Sequence, residues 1–403
     1  MTHLENNNIL CDEQHGFRAK RSCETQLLEL THELFNNLEQ GRQTDILILD
    51  FAKAFDKVNH SLLIHKLHYY GVRGDINRWI KDFLSGRQQA VVVNGEHSDL
   101  VPVKSGVPQG SVLGPCLFLA YINDLPANLK SKARLFADDT AVYNVVRNTD
   151  GRDQLQEDLD QLAIWEDRWL MSFHPDKCIN LPISRSRNPH QSQYSLHGHT
   201  LETVSSAKYL GVTIKSDLSW DSHVNQITAK ANRTLGFLRR NLKVSSRKTK
   251  VMAYKALVRP TMEYACSVWD PHGEDSIKRL EAVQRRAARF VMRRYHNTAS
   301  PTYMLEELKW PSLQSRRKTS RLAMLFKIQS GQASTSGIKE CLTPAPVRQR
   351  RSNSRQLVIP RSRTLYRQQS FLPKTITEWN LLPEASVAAT TVDAFVSSVA
   401  SLQ

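Results

Sequence analysis

The stretch from Ala133 to Tyr143, ARLFADDTAVY, decides the fold. Leu135, Phe136 and Ala137 run straight into two adjacent carboxylates, Asp138 and Asp139, and Ala141, Val142 and Tyr143 then resume the apolar pattern. Two apolar runs meeting at a pair of acids predict a hairpin with the acids at its turn. Neighbouring carboxylates beside buried strands repel each other unless a cation lies between them. The pair therefore reads as a divalent-metal site at a hairpin tip or, taken alone, as a solvated acidic turn of a common kind.

A second acid in a similar frame favours the metal site. In DILILDFAKAFDKVNH, from Asp45 to His60, the apolar run Ile46, Leu47, Ile48, Leu49 ends on Asp50, 88 residues before Asp138. A buried strand that delivers one carboxylate and a hairpin that delivers two make an oxygen-rich set. Two-metal phosphoryl transfer needs such a set, with hard cations about 3.5 to 4 Å apart.

LDFAKAFDKVNH, SGVPQGSVLGPCLF and FADD, in that order, resemble the A, B and C motifs of reverse transcriptases, and within them those of non-LTR retrotransposons of the LINE, jockey and CR1 type. QHGFRAKRSCETQL before them and HPDKCINLPISR and KYLGVTI after them continue the resemblance, closely from Gln14 to Ile214 and more loosely to the C-terminus. The resemblance implies an RNA-directed DNA polymerase that transfers nucleotides from dNTPs to a primer 3′-OH, with two Mg²⁺ as cofactor and Mn²⁺ able to substitute. Its partners would be an RNA template and a DNA primer or nicked target DNA. Asp50 and Asp138 would hold the metals, with Asp139 assisting.

Further roles come from the same resemblance. Lys177, in HPDKC, takes the place of the motif D lysine that serves as general acid toward pyrophosphate; on its own it is a solvated lysine after a turn. Phe55 would abut the sugar of the incoming nucleotide, though its spacing alone makes it a core residue. Phe51, Gln109 and Gly110 would line the nucleotide pocket, and Asp56 resembles a structural acid. Tyr209, Leu210 and Gly211 resemble the primer grip. Arg18 and Arg21 in GFRAKRS read either as a basic loop or as fingers residues set against template or nucleotide.

The fold class expected is α+β, a right-hand polymerase palm with partial fingers, followed by a basic helical thumb and a C-terminal helical region. The expected segments are 1–45 (partial fingers), 46–215 (palm), 216–330 (thumb), 331–363 (basic linker, with VRQRRSNSR) and 364–403. Helical spacing predicts a helix over Ala52 to Leu67. A second, from Gly71 to Gly86, should bury Trp79, Ile80, Phe83 and Leu84. A third, from Asp150 to Met171, should bury Leu155, Leu159, Leu162, Ile164, Trp165 and Trp169 and turn its acids outward. Gln89 to Val93, Asn94-Gly95 and Val101 to Val103 predict a hairpin. A helical region from His223 to Lys255 carries Arg239 and Arg240, and a helix from Ser276 to Arg294 carries Arg285, Arg286 and Arg289; both are expected to grip a nucleic-acid backbone.

Length and composition are consistent with this. The chain has 403 residues, enough for two or three domains, with 40% hydrophobic and 23% charged residues. It holds no apolar run long enough for a membrane span and no secretory leader at its start. Six cysteines without a CxxC pair fit a reducing, intracellular setting, in nucleus or cytoplasm, not secretion. The net charge of +16 is uneven: residues 1–229 hold 23 Lys and Arg against 28 Asp and Glu, whereas residues 230–330 hold 23 against 7. Such an excess points to a polyanion. Relatives of this kind carry further segments ahead of the first motif, so the expectation is an N-terminally truncated copy of reduced or no activity. The competing reading is a nucleic-acid-binding protein whose acids are relics.

Overall fold

The computed structural model describes every residue except 148, 297, 347–352 and 403. Most of the expected basic run VRQRRSNSR therefore lies outside the described residues. By internal contacts the chain forms two units: residues 1–26 with 41–205, and residues 27–40 with 206–403. The expected segments do not coincide with this division. The hairpin expected at the end of the palm belongs to the second unit, and α1 (Cys23–Glu39) begins in the first and continues in the second.

In the first unit a five-stranded sheet is formed by β1 (Gln43–Leu49), β2 (Lys132–Phe136), β3 (Asp139–Val146), β4 (Ile179–Ile183) and β5 (Glu202–Thr203). Its order is β5-β4-β1-β3-β2, antiparallel except for the β5–β4 pair. The central strand β1 is buried along nearly its whole length, which is why QTDILIL is so apolar. Its one acid, Asp45, is satisfied by Gln43 Nε2 at 2.8 Å and Tyr194 OH at 2.9 Å.

The core lies where β1 meets α4 (Leu113–Ile122) and α5 (Thr149–Trp169), with Leu47, Leu49, Phe118, Tyr121, Leu155, Leu159 and Leu162 in one cluster. Two expectations for α5 are corrected. Ile164 is exposed, whereas Asp158 and Glu166 are buried. Asp158 accepts the backbone N–H groups of Lys130 (2.8 Å) and Ser131 (2.9 Å), which ties the entry of β2 to the helix. Glu166 accepts from the N–H of Phe173 and pairs with His197 at 2.7 Å. Both acids hold orphan donors that an apolar residue would leave unpaired.

The helix expected over Ala52 to Leu67 is broken. Lys53 is left-handed (φ 57°), a short turn spans Ala54–Lys57, and α2 (His60–Tyr69) starts afresh from Asn59, whose side chain accepts the Leu62 N–H at 3.1 Å. In α3 (Gly74–Leu84), Ile80 and Leu84 are buried as expected, but Trp79 is exposed and stacks on Phe83 (ring centroids 5.8 Å apart). The hairpin beyond α3 is present as two short ladders, Gln88–Gln89 with Val101–Pro102 and Val92–Val93 with Glu96–His97.

The second unit is mainly helical: α6 (Asp221–Asn241), α7 (Glu274–Met292), α8 (Leu313–Gln329), α9 (Phe371–Trp379) and α10 (Val392–Ser401), with a hairpin of Ser206–Tyr209 and Val212–Lys215 at its start. Leu235, Leu280, Val283 and Ala287 are buried while the arginines between them line the surface. At the heart of this unit Asp270 meets Arg317 (2.7 Å), Arg321 (3.0 Å) and Lys374 (2.8 Å). The combined charge of the three cations holds the Asp270 carboxyl below the usual carboxylate range although burial opposes it. No helix among the described residues is long and apolar enough to cross a membrane.

Candidate active site at the carboxylate end of the sheet

Strand register brings the site together. Leu49 pairs with Thr140 on β3, and Ile48 pairs with Ile179 on β4. One and two residues further on, Asp50 lies beside Asp139 on one flank and Lys177 on the other, where Lys177 Nζ stands 3.3 Å from Asp50 Oδ2. The backbone closes round the same point: His174 N–H donates to Asp50 O at 2.7 Å, and Ala52 N–H to Ser172 O at 2.8 Å. Asp138 occupies the β2–β3 turn between Ala137 and β3, with Thr140 Oγ1 donating to its carbonyl at 3.2 Å.

The charge of Asp50 reaches both acids of the hairpin. The Asp138 carboxyl is raised by burial and by the Asp50 charge, against a bond from its own backbone N–H. Asp139 is pushed up to about 6, first by loss of water around it and then by the charges of Asp138 and Asp50. By surface area Asp138 is half-buried and Asp139 is exposed. Among the described residues no group of three or more His, Cys, Asp or Glu side chains stands close enough to enclose an ion. Asp50, Asp138 and Asp139 together offer oxygen donors of the kind that suits hard divalent cations, with Lys177 paired to Asp50.

The loop Ser105 to Ser111 folds against the segment after Asp50. Gly106 N–H donates to Val58 O and Val107 N–H to Phe55 O, both at 2.8 Å. Gly106 has φ 90°, and a Cβ there would meet the Asp56 backbone at 2.8 Å, so glycine is required. Gln109 Nε2 donates to Asp56 Oδ1 at 2.9 Å, which places Asp56 as the acid that orients Gln109. Phe55 stacks on Phe118 (4.2 Å) and meets the edge of Phe17 (6.5 Å), and Gly110, with φ 80°, has open space beside it. Phe51 is corrected: its ring is buried, stacked on Phe173 at 4.1 Å and packed against Trp165, so its side chain is core and cannot line a pocket.

Of the two readings of Arg18 and Arg21, the contacts favour the basic loop. Arg18 pairs with Glu5 (2.8 Å) and donates to Cys11 O (2.6 Å); Arg21 pairs with Asp12 (2.8 Å) and donates to Gln14 O (3.1 Å). Both guanidinium groups are nearly buried and committed to the chain's own loop, so they brace it. What they brace is Gln14, a residue to which no hydrophobic period or charge pattern drew attention. Its carboxamide reaches Ala137, next to Asp138.

In the second unit, Leu210 (φ 44°) and Gly211 (φ 82°) form the tight turn of the 206–215 hairpin. Tyr209 is buried, and Tyr264 closes over the turn, its OH donating to Leu210 O at 3.0 Å. Arg239 and Arg240 are exposed on α6, Arg239 over the Tyr295 ring at 5.3 Å. On α7, Arg286 is exposed and donates to Asn232 Oδ1 at 3.1 Å, while Arg285 and Arg289 are half-buried.

Residues 1–214 match the family model described as reverse transcriptase (RNA-dependent DNA polymerase). The chain is 31% identical over 302 residues to the probable RNA-directed DNA polymerase from transposon BS of Drosophila melanogaster, covering 70% of this chain and 33% of that protein. It is 28% identical over 321 residues to the RNA-directed DNA polymerase from mobile element jockey of the same species, covering 74% and 34%. The chain thus spans about a third of the length of the curated relatives it matches. Among solved structures, apo telomerase from Candida tropicalis matches with TM-score 0.43 and 11% identity over 75% of this chain and 50% of that one. Motif order, the acid-bearing ends of adjacent strands and the family match over more than half of the sequence agree, and the chain belongs to the reverse transcriptase family, of the non-LTR retrotransposon kind.

Proposed function

We propose that this chain is the polymerase part of an RNA-directed DNA polymerase, its first unit the palm and its second the thumb and C-terminal region. The observation that carries this reading is the strand register that sets Asp50, at the end of β1, beside Asp139, at the start of β3, with Asp138 in the turn next to it. Asp50 and Asp138 would hold two Mg²⁺, for which Mn²⁺ can substitute, with Asp139 as a weaker third donor. When bound, such ions activate an attacking hydroxyl and neutralise the leaving phosphate oxygens. The residues supply the rest. Phe55 and Gly110 shape the space for sugar and base, Gln109 is held by Asp56, and Lys177 beside Asp50 is placed to give a proton to the departing pyrophosphate.

The reactants in this reading are dNTPs, an RNA template and a DNA primer or nicked target strand, with Leu210 and Gly211 presenting a primer-grip turn. Arg239, Arg240, Arg285, Arg286 and Arg289 would meet phosphates along a duplex, giving affinity without sequence reading. Six free cysteines fit a reducing nuclear or cytoplasmic setting. The test is incorporation of dNTPs on an annealed RNA template and DNA primer, with Mg²⁺ and with Mn²⁺, beside the Asp138→Asn, Asp139→Asn double variant. Extension by the parent alone supports the reading. No extension, with salt-sensitive duplex binding retained by both, would reduce the chain to a nucleic-acid-binding protein.

A further inference from the structure

Ala137 is the residue before Asp138, and it is left-handed, φ 55°, although it carries a Cβ. An L-residue with a side chain takes up that conformation only when its surroundings enforce it. Gln14 supplies the enforcement. Its Oε1 accepts the Ala137 N–H at 2.9 Å and the Gly16 N–H at 2.7 Å, and its Nε2 donates to Ala137 O at 3.4 Å. One carboxamide thus holds both polar groups of the strained residue, and it is itself buried.

The segment carrying Gln14 is fixed in turn. Leu135 N–H donates to Glu13 O (2.9 Å) and His15 N–H to Leu135 O (2.8 Å), so these residues run parallel to β2 along its edge. A Cβ on Gly16 would lie 2.3 Å from the Ala137 nitrogen, which shows how closely this backbone presses on the turn. Arg18 and Arg21 hold the outer side of the loop through the Gln14 carbonyl and its neighbours.

We propose that Gln14 is a positioning residue for Asp138: by clamping Ala137 in the left-handed conformation it directs the Asp138 carboxylate toward Asp50. The inference rests on the reading of these acids as metal ligands. The clamp needs an acceptor oxygen and a donor nitrogen on separate atoms, to meet the N–H and the C=O of Ala137 together; a carboxamide has both, a carboxylate or thioether lacks the donor, and a hydroxyl has only one atom for the two tasks. Support of this kind behind a ligand is worth roughly 10- to 100-fold in metal affinity or activity.

The experiment measures Mn²⁺ binding, by the resonance signal of free Mn²⁺, and primer extension for the full chain and for Gln14→Met, Gln14→Glu, Ala137→Gly and the pair Gln14→Met with Ala137→Gly. Gln14→Met should weaken Mn²⁺ binding roughly 10- to 100-fold and lower kcat with little change in the KM for dNTP. Gln14→Glu, which keeps the acceptor bonds, should lose less. Ala137→Gly should recover much of the loss in the Gln14→Met background, because glycine adopts positive φ without strain. If Gln14→Met binds Mn²⁺ like the parent and only melts earlier, Gln14 is merely structural and the proposal falls. If the parent itself binds no more Mn²⁺ than Asp138→Asn does, the metal reading falls and takes this proposal with it.

Discussion

The first unit concentrates charge and the second distributes it. At the carboxylate end of the sheet three acids gather at the ends of β1 and β3, with Lys177 paired to Asp50. Along α6 and α7 many arginines stand apart on a helical surface, several of them touching neutral side chains or rings. The difference separates two kinds of recognition. A compact cluster acts over a few ångström and depends on close orientation, whereas a spread of cations acts through the counterion atmosphere of a polymer and tolerates the loss of any one member.

The largest effect expected is at the cluster. Asp50→Asn or Asp138→Asn should cost on the order of 10³-fold in nucleotide incorporation, the equivalent of several kcal/mol of lost stabilisation. Duplex binding, read by gel shift, should persist or tighten. Equal loss of incorporation and binding would break the comparison. Next is packing. Gly16→Ala should destabilise the first unit by about 1–3 kcal/mol in denaturant unfolding, since the added methyl collides with the Ala137 backbone. Neutral behaviour would mean the turn has slack.

The distributed surface predicts a smaller, graded response. Replacing Arg239 and Arg240 together by Ala should flatten the log–log dependence of duplex affinity on salt by up to about 2, or about 0.9 for each phosphate no longer neutralised, with kcat on saturating primer little changed. An unchanged slope would remove α6 from the nucleic-acid interface.

The smallest effect is a pH dependence of stability. Asp139 has its folded pKa raised to about 6 from an ordinary 3.8, so the folded state binds the proton more tightly than the unfolded one does. That contribution favours folding at pH below about 4 and is lost as pH rises through about 6. Asp139→Asn should therefore melt about a degree or two higher than the parent at about pH 7, with the gap closing toward about pH 4. Divalent cation should raise the melting point of the parent at neutral pH and leave Asp138→Asn nearly unmoved.

The acids and their order along the chain were legible in the sequence because apolar runs that end on carboxylates are rare and local. Strand β1, the β2–β3 hairpin and the glycine of the Ser105 loop follow from side-chain period and turn chemistry alone. So does the charge contrast between the two units, which is a matter of counting.

Other features rest on contacts between residues distant in sequence, and these only the tertiary structure decided. Ile164 and Trp79 fit a helical apolar face by spacing but lack a neighbour to cover them, while Asp158 and Glu166 are buried because unpaired backbone N–H groups wait opposite them. Phe51 goes to the core because Phe173 is there to stack on it. Arg18 and Arg21 look like free cations until Glu5, Asp12 and the loop carbonyls are brought to them. Gln14 opens a stretch that carries the family resemblance, but its contact partner lies 123 residues away, in the backbone of Ala137. Sequence period and motif order reveal what each segment prefers by itself, and the pairing of polar groups across the fold reveals what each is for, since desolvation and hydrogen bonding depend on which partner arrives.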